Sequence, residues 1–140
     1  MIREFQAGDL EAVMSIWLSA NLEAHAFVDP EYWRGSYDAV KTIIPQAEVW
    51  VSEGENEING FIGVVDDYIA GIFVDASARA AGIGSQLLDR ARQDRKSLRL
   101  SVYKKNTAAV SFYRKQGFQI DKESVDPETS EAEYAMTWNG

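Results

Sequence analysis

The sequence predicts a mixed α/β (α+β) fold in which four helices pack on a mostly antiparallel sheet of about six to seven strands. Three observations predict this fold. Short runs rich in β-branched and aromatic residues recur along the chain, four segments repeat apolar residues at helical spacing, and short polar turns join several consecutive strand-like runs. At 140 residues the chain has the length of one domain, and we expect that domain to span 1–140.

Two helices precede most of the predicted sheet. A first strand is predicted over 1–5, and Asp9 is a suitable N-cap for the helix after it. The apolar residues of this helix repeat at intervals of three and four: Val13, Ile16, Trp17 and Ala20. Asp29 and Pro30 are a stronger start signal, a cap followed by proline at the first helical position. The second helix then keeps its apolar spacing through Trp33, Tyr37, Val40 and Ile44.

A three-stranded meander is predicted in the middle of the chain. The runs 47–53 and 58–66 are strands joined by the polar turn GENE. Asp66 and Asp67 then turn the second of these strands into a third, which ends at Val74. Strands joined by such short turns are antiparallel.

The second half of the chain alternates between helices and strands. A glycine turn after Val74 leads into a helix whose apolar face is formed by Ile83, Leu87, Leu88 and Ala91. The segment 97–103 alternates as a strand should, so a strand, a helix and a strand follow one another and imply a right-handed parallel crossover. Asn106 caps a fourth helix that Gly117 ends as its C′ residue. The last two strands are predicted over 118–123 and 131–138.

Composition narrows the classes of function. The chain has no cysteine and one histidine, which excludes a disulfide framework and a cysteine nucleophile, and we expect no metal site. The net charge of −8 disfavours a nucleic-acid partner and weakly favours an amine-bearing one, although acidity for solubility alone is the more common reason. No segment has the apolar length of a secretory signal or a membrane span, so we expect a cytoplasmic protein without a membrane partner, as a monomer or homodimer.

The turn before the third helix has the features of an anion site. The segment 78–91, ARAAGIGSQLLDRA, follows an apolar strand and places Gly82 and Gly84 at the opening of the helix. The unpaired N–H groups of a helix N-terminus converge at such a turn and its dipole favours negative charge, so a phosphate is the expected ligand. On the turn alone, glycines needed only for positive φ or for close packing explain the pattern about equally well.

Two motifs around this helix resemble those of the GNAT N-acetyltransferase superfamily, in its small single-domain bacterial form. Residues 79–84, RAAGIG, resemble the Q/R-x-x-G-x-G/A turn of that family and stand between the expected strand and helix. Residues 106–118, NTAAVSFYRKQGF, resemble its N-x-x-A-x-x-x-Y-x-x-x-G-F segment. A dinucleotide-binding Rossmann turn would instead need a third glycine at position 87, which is Leu87, and an acidic residue at the end of the next strand.

The resemblance implies an N-acetyltransferase that uses acetyl-CoA as co-substrate, needs no metal and lets a primary amine attack directly in a ternary complex. It implies that the turn binds the pyrophosphate of CoA. It also implies that the preceding strand is splayed from its parallel neighbour, so that its backbone groups meet the pantetheine amides and one N–H faces the thioester oxygen. The implied cofactor-binding residues are Ile72, Phe73, Val74, Arg79, Ala80, Ala81, Gly82, Ile83, Gly84, Ser85 and Asn106.

Tyr113 is the predicted catalytic residue. The resemblance gives it the part of the general acid, since a phenol with a pKa near ~10 can protonate the departing thiolate. A tyrosine that merely packs on its helix face is the structural alternative. Tyr68 stands where some family members carry a glutamate base, so we predict instead a water that relays the proton, held by Tyr68 with Asp66, Asp67 or Glu31.

The acceptor is predicted to lie against the two early helices, which commonly form the acceptor wall in this family. Segment 24–37 is rich in aromatic and charged side chains that suit a cationic amine, while core packing is the alternative for Trp33 and Tyr37. The predicted substrate-binding residues are His25, Phe27, Glu31, Tyr32 and Tyr68. The acceptor stays open among a small amine, an antibiotic, a peptide N-terminus and a protein lysine.

A second class of function is a catalytically silent module that binds acyl-CoA or another partner. Such a module would keep the pyrophosphate turn and lack an amine acceptor. Tyr113 argues against it, and Tyr68 in place of a carboxylate argues for it. Acetyl transfer that is lost with Tyr113→Phe distinguishes the enzyme from the module.

Overall fold

A computed structural model describes residues 1–79 and 81–140. Its strands are β1 (Ile2–Glu4), β2 (Glu48–Glu53), β3 (Ile58–Val65), β4 (Tyr68–Val74), β5 (Ser97–Tyr103), β6 (Gln119–Val125) and β7 (Ala132–Asn139). Its α-helices within those residues are α1 (Leu10–Ala24), α2 (Pro30–Ile43), α3 (Ile83–Arg92) and α4 (Thr107–Lys115). The predicted fold class is confirmed, because these strands form one mixed sheet in the order β1-β2-β3-β4-β5-β7-β6.

The helices begin where capping chemistry allows, with one difference from the prediction. The Asp29 carboxylate accepts a hydrogen bond from the Glu31 N–H, and the Asn106 side chain accepts one from the Ala109 N–H, as expected of N-caps. Asp9 precedes α1 as predicted, but its side chain caps no N–H of that helix. Its carboxylate instead accepts from the Gln6 N–H and pairs with Arg3 at 2.9 Å.

Helices cover both faces of the sheet, and each face has its own apolar core. Helices α1 and α2 pack on one face around Val13, Met14, Trp17, Val51 and Phe61. Helices α3 and α4 pack on the other face around Ile62, Leu87, Leu88, Leu98, Leu100 and Met136. Neighbouring strand residues such as Phe61 and Ile62 belong to different cores because successive side chains of a strand point to opposite faces.

Strands β4 and β5 are parallel and part soon after they meet. Among the described residues they pair at two positions, Tyr68 with Arg99 and Ile69 with Leu100. The ladder between β3 and β4 passes from Gly71 to Ile69 with no partner for Ala70, so β4 carries a β-bulge there. A bulge bends its strand, and this one lies at the point where β4 leaves β5. The predicted splay is therefore confirmed, and it has a local cause.

The last strand of the chain lies inside the sheet and not at its edge. Strand β7 pairs with β5 along seven residues, from the pair of Ser97 with Asn139 to the pair of Tyr103 with Glu133. Strand β6 pairs with the other edge of β7. One edge of β5 is therefore paired with β7, and its other edge faces β4.

Within the described ranges, no helix combines the length and the apolar character needed to cross a bilayer.

Candidate active site

The gap between β4 and β5 opens into a cavity of about 650 Å³. Its walls come from both faces of the sheet, because the parted strands let α1 and α2 on one side meet α4 and the start of α3 on the other. Strand β4 lines it from Ala70 to Val74, and β5 from Ser101 to Tyr103. The cavity is thus lined by residues from both faces of the sheet.

The N-terminus of α3 lies at one end of the cavity. Gly82 has φ 77°, the left-handed conformation that favours glycine, and the chain turns there into the helix. The first N–H groups of α3 have no partner within the helix, and among the described residues no side chain caps them. Gly84 lines the cavity, and a Cβ at this position would approach the Phe112 ring to 3.4 Å. The turn therefore fits a phosphate group close to its backbone.

Arg79 gives this end of the cavity its positive charge. Among the described lining residues it is the one arginine or lysine, and its guanidinium pairs with the Glu23 carboxylate of α1. Both side chains are about half exposed. An anionic ligand at the turn would share Arg79 with Glu23.

Tyr113 of α4 is buried at the wall of the cavity. Its side chain packs against the rings of Phe112 and Phe118, at 5.3 and 5.5 Å between centroids. Burial raises the pKa of the Tyr113 hydroxyl above its ordinary value, and the nearby Tyr68 raises it further. The phenol is therefore a neutral proton donor throughout the neutral pH range, and only 8% of the residue is exposed.

His25 links α1 to the start of α4. Its Nδ1 lies 2.9 Å from Asn21 Oδ1, and its Nε2 lies 3.0 Å from Asn106 Nδ2. Asn21 Nδ2 donates to the Trp17 carbonyl, and Asn106 Oδ1 accepts from the Ala109 N–H. These bonds fix both amides, so Asn21 accepts from Nδ1–H and Asn106 donates to Nε2. The imidazole is therefore the neutral Nδ1–H tautomer.

Protonation of His25 is disfavoured in this setting. Burial lowers its pKa to about 4. A proton on Nε2 would also face the Asn106 N–H donor instead of an acceptor. His25 consequently has no free lone pair for an acceptor amine, and its ring stacks on Trp33 with 5.3 Å between centroids.

Aromatic rings and carboxylates surround the acceptor side of the cavity. The Tyr32 hydroxyl donates to Glu128 at 2.6 Å, and the Tyr103 hydroxyl donates to Asp126 at 2.8 Å. These two bonds fasten the β6–β7 hairpin to α2 and β5. Burial and the Asp126 carboxylate raise the pKa of Tyr103 to about 12, so its hydroxyl stays protonated.

The structure brings most of the predicted site residues into this one cavity. Those that line it are His25, Tyr32, Tyr68, Ile72, Phe73, Val74, Arg79, Gly84, Asn106 and Tyr113. Ala81 and Gly82 lie in the adjoining turn, and the backbone of Ile83 and Ser85 belongs to the first turn of α3. Ala80 lies outside the described residues.

Several predicted side chains do not line the cavity, for identifiable reasons. Phe27 packs on Tyr103 at 5.6 Å between ring centroids and supports the wall from behind. Glu31 is exposed and pairs with Arg34 at 3.0 Å. The Ser85 hydroxyl accepts a hydrogen bond from Gln116, and the Ile83 side chain is buried in the core.

The aspartates predicted to help a relay water also lie outside the cavity lining. Asp66 has φ 57° in the β3–β4 turn, and Asp67 pairs with Arg99 at 3.0 Å. Tyr68 does line the cavity, with the Arg99 guanidinium 5.0 Å from its ring centroid. A proton relay through these two carboxylates would have to extend beyond the residues that line the cavity.

Sequence reasoning missed residues that β5 and β7 contribute. Ser101, Tyr103 and Glu133 line the cavity, and none of them stands in a recognisable motif. Tyr103 could have been found from its place at the end of the strand that parts from β4. Glu133 gave no local signal, because the pairing of β7 with β5 joins residues 30 positions apart.

Known proteins that resemble this chain are acetyltransferases of the GNAT type. The family model described as an acetyltransferase (GNAT) domain matches residues 45–120. The chain is 34% identical over 140 residues to the peptidyl-lysine N-acetyltransferase YiaC of Escherichia coli K12, covering 99% of this chain and 96% of YiaC.

Solved structures agree with this family. The solution structure of apo YjaB from Escherichia coli has a TM-score of 0.87 and 27% identity, and covers 100% of this chain and 97% of YjaB. YncA of Salmonella typhimurium, solved with its cofactor acetyl-CoA, shares the fold with a TM-score of 0.71 at 19% identity, covering 99% of this chain and 92% of YncA. The chain belongs to the GNAT family and is an N-acetyltransferase.

Proposed function

We propose that this chain, as one domain spanning 1–140, transfers the acetyl group of acetyl-CoA to the side-chain amine of a lysine in a peptide or protein. The observation that carries the proposal is the cavity between β4 and β5. It joins an anion-binding helix N-terminus, a free strand edge, a buried phenol and an aromatic, acidic acceptor side. The proposal for lysine draws on YiaC, which is named a peptidyl-lysine N-acetyltransferase.

The chain offers separate groups to the separate parts of acetyl-CoA, which supplies the activated acetyl thioester. The N–H groups at the start of α3 and the Arg79 guanidinium bind the pyrophosphate. Beyond Ile69 the edge of β4 toward β5 pairs with no strand among the described residues, so its backbone groups from Gly71 to Val74 bind the amides of the pantetheine arm. Such N–H groups also stabilise negative charge that develops on the thioester oxygen.

Tyr113 protonates the leaving sulfur. The phenol lines the cavity on the α4 side, and its burial keeps the proton on the oxygen until a thiolate forms beside it. The amine attacks directly, because no cysteine is present and the one histidine uses both ring nitrogens in hydrogen bonds.

The acceptor side suits the shape and the charge of a lysine. The rings of Trp33, Tyr32 and Tyr103 present apolar faces to an aliphatic chain, and aromatic faces attract an ammonium group. The carboxylates of Asp126 and Glu128 fasten the neighbouring hairpin and add negative potential. The net charge of −8 acts in the same direction over longer distances.

The test compares a lysine side-chain amine with an N-terminal α-amine in otherwise matched peptides. A peptide with a blocked N-terminus and one lysine is incubated with acetyl-CoA and the protein, and a second peptide has a free N-terminus and no lysine. We expect kcat/KM for the lysine peptide to exceed that for the α-amine peptide by at least about tenfold, because positioning by the acceptor wall differs for the two amines. Equal rates, or a preference for the α-amine, would contradict the proposed acceptor.

A further inference from the structure

We propose that Glu133 receives the ammonium group of the acceptor and takes its proton before the acetyl group is transferred. This inference rests on the proposed function, since it concerns the amine that the same cavity would admit. Glu133 stands outside both motifs of the sequence, and its position follows from the pairing of β7 with β5.

The sheet register places Glu133 on the acceptor face. Glu133 pairs directly with Tyr103, and directly paired residues of neighbouring strands project from the same face. The Tyr103 ring packs against His25 at 5.0 Å and Phe27 at 5.6 Å between centroids, so this face is the one that α1 and α2 cover. Glu133 lines the cavity beside Tyr103.

Glu133 is the one carboxylate among the described residues that line the cavity. An alkylammonium must lose a proton before its nitrogen can attack, and a carboxylate is the usual group that binds such a cation and accepts its proton. The remaining ionisable residues of the lining come from the C-terminal cap of α1, from α2, from the turn before α3, and from β4, β5 and α4. They are, in that order, His25, Tyr32, Arg79, Tyr68, Tyr103 and Tyr113.

These other groups are poor proton acceptors at neutral pH. His25 is held as a neutral imidazole whose lone pair already accepts from Asn106. Burial raises the pKa of the Tyr32, Tyr103 and Tyr113 hydroxyls, so they keep their protons. Arg79 is a cation. Asp66 and Asp67 belong to the turn and ion pair described above.

The surroundings adapt Glu133 to this role. Burial raises the pKa of its carboxyl, and the neighbouring Asp126 carboxylate raises it further. A carboxylate with a raised pKa holds an accepted proton better than an ordinary glutamate does. Asp126 itself is engaged by Tyr103 and by the Glu128 N–H, so it adds negative charge without competing for the ammonium.

The proton balance of the reaction is complete with these groups. One ammonium proton moves to the Glu133 carboxylate and leaves to solvent. The neutral nitrogen forms a bond to the acetyl carbonyl carbon and the carbon–sulfur bond breaks, so that the sulfur keeps the electron pair. Tyr113 gives its proton to the sulfur, and the second proton shed by the nitrogen returns to Tyr113. The products are an amide, a thiol and one released proton.

The experiment compares Glu133→Gln with Glu131→Gln on the full chain. Both replace a carboxylate of β7 or its hairpin by an amide of the same shape, but Glu131 pairs with Lys105 and does not line the cavity. With the blocked lysine peptide we expect kcat/KM at pH 7.5 to fall by about 10²-fold for Glu133→Gln and to change less than about twofold for Glu131→Gln. Acetyl-CoA affinity and thermal stability should stay near wild type for both variants.

Two further readouts separate proton transfer from a structural role. The wild-type rate should rise with pH as Glu133 ionises, and this limb should be absent in Glu133→Gln. The loss of kcat/KM in Glu133→Gln should be smaller with a peptide whose lysine analogue has sulfur in its side chain and a less basic amine.

Two outcomes would overturn the inference while the wild type still acetylates lysine. One is an equal loss for both amines with an unchanged pH profile, and the other is a rate for Glu133→Gln equal to that of Glu131→Gln. A wild type that acetylates no amine would overturn the proposed function and the inference together.

Discussion

His25 has a hydrogen-bond partner for each ring nitrogen, and this decides what it can do. The sequence predicts it as a substrate-binding residue, and it does line the cavity. Its imidazole instead joins Asn21 of α1 to Asn106 at the start of α4, two helices on opposite faces of the split sheet. That His25 contacts the acceptor through the edge of its ring stays a prediction.

The neutral state of His25 makes stability depend on pH. Its pKa is lowered from 6.5 to about 4 in the folded protein, so between these values the unfolded chain binds the proton that the folded chain excludes. The free energy of unfolding therefore falls as pH drops from about 6.5 toward 4. After allowance for partial exposure we expect this contribution to be about 1–2 kcal/mol.

His25→Phe tests this linkage. The variant keeps a ring beside Trp33 but leaves the Asn21 and Asn106 amides without their imidazole partner, so it should be less stable at pH 7.5 by about 1–3 kcal/mol. Its further loss of stability between pH 7.5 and 5 should be smaller than that of the wild type. Urea unfolding at both pH values measures the two differences, and an identical loss in both proteins would show that His25 does not titrate as described.

The residues that the sequence could predict are those with local signals. Asn106 and Tyr113 belong to one continuous segment whose spacing sets both the cap and the buried face of α4. Glu133 had no such signal, because its neighbours Tyr103 and Asp126 reach it only through strand pairing and a hairpin. Local patterns identify capping and amphipathicity, whereas they carry no register between distant strands.

At the scale of elements, the site depends on a bulge and a helix start. The bulge at Ala70 turns β4 from β5, and α3 begins just after Gly82, close to the opening that this creates. Most element bounds were predictable within a few residues, because capping residues, glycines and apolar spacing mark them. The insertion of β7 between β5 and β6 was not, since it follows from packing of the whole sheet.

Gly84→Asp separates cofactor binding from folding at this helix start. A carboxylate in the first turn of α3 interacts favourably with the helix dipole, so the helix should keep its stability. The same charge lies in the cavity wall where the pyrophosphate is proposed to bind, and a Cβ at position 84 would approach the Phe112 ring to 3.4 Å. We expect acetyl-CoA affinity, measured by calorimetry, to fall at least about tenfold through charge repulsion and lost approach.

Gly35→Asp is the matched control. It adds the same side chain to α2 at an exposed glycine with open space around it. Acetyl-CoA affinity should be unchanged in this variant. Wild-type affinity in Gly84→Asp would remove the pyrophosphate from the start of α3.

At the scale of the whole molecule, one split in the sheet joins two separately built walls. The α3/α4 face supplies the helix N-terminus and Tyr113, and the α1/α2 face supplies the aromatic acceptor side. The two faces have separate apolar cores, so each wall is supported by its own core. The two walls meet at the gap between β4 and β5, so both reactants would share one cavity.

Tyr113→Phe tests whether acetyl transfer takes place in this cavity. The substitution deletes one hydroxyl and keeps the ring that packs against Phe112 and Phe118. With acetyl-CoA and the lysine peptide we expect kcat to fall by about 10²-fold, while acetyl-CoA affinity and stability change little. Tyr134→Phe, on the opposite face of β7 from Glu133, should retain wild-type activity. A kcat for Tyr113→Phe near that of the wild type, or a loss matched by equally weakened acetyl-CoA binding, would contradict catalysis by Tyr113 in this cavity.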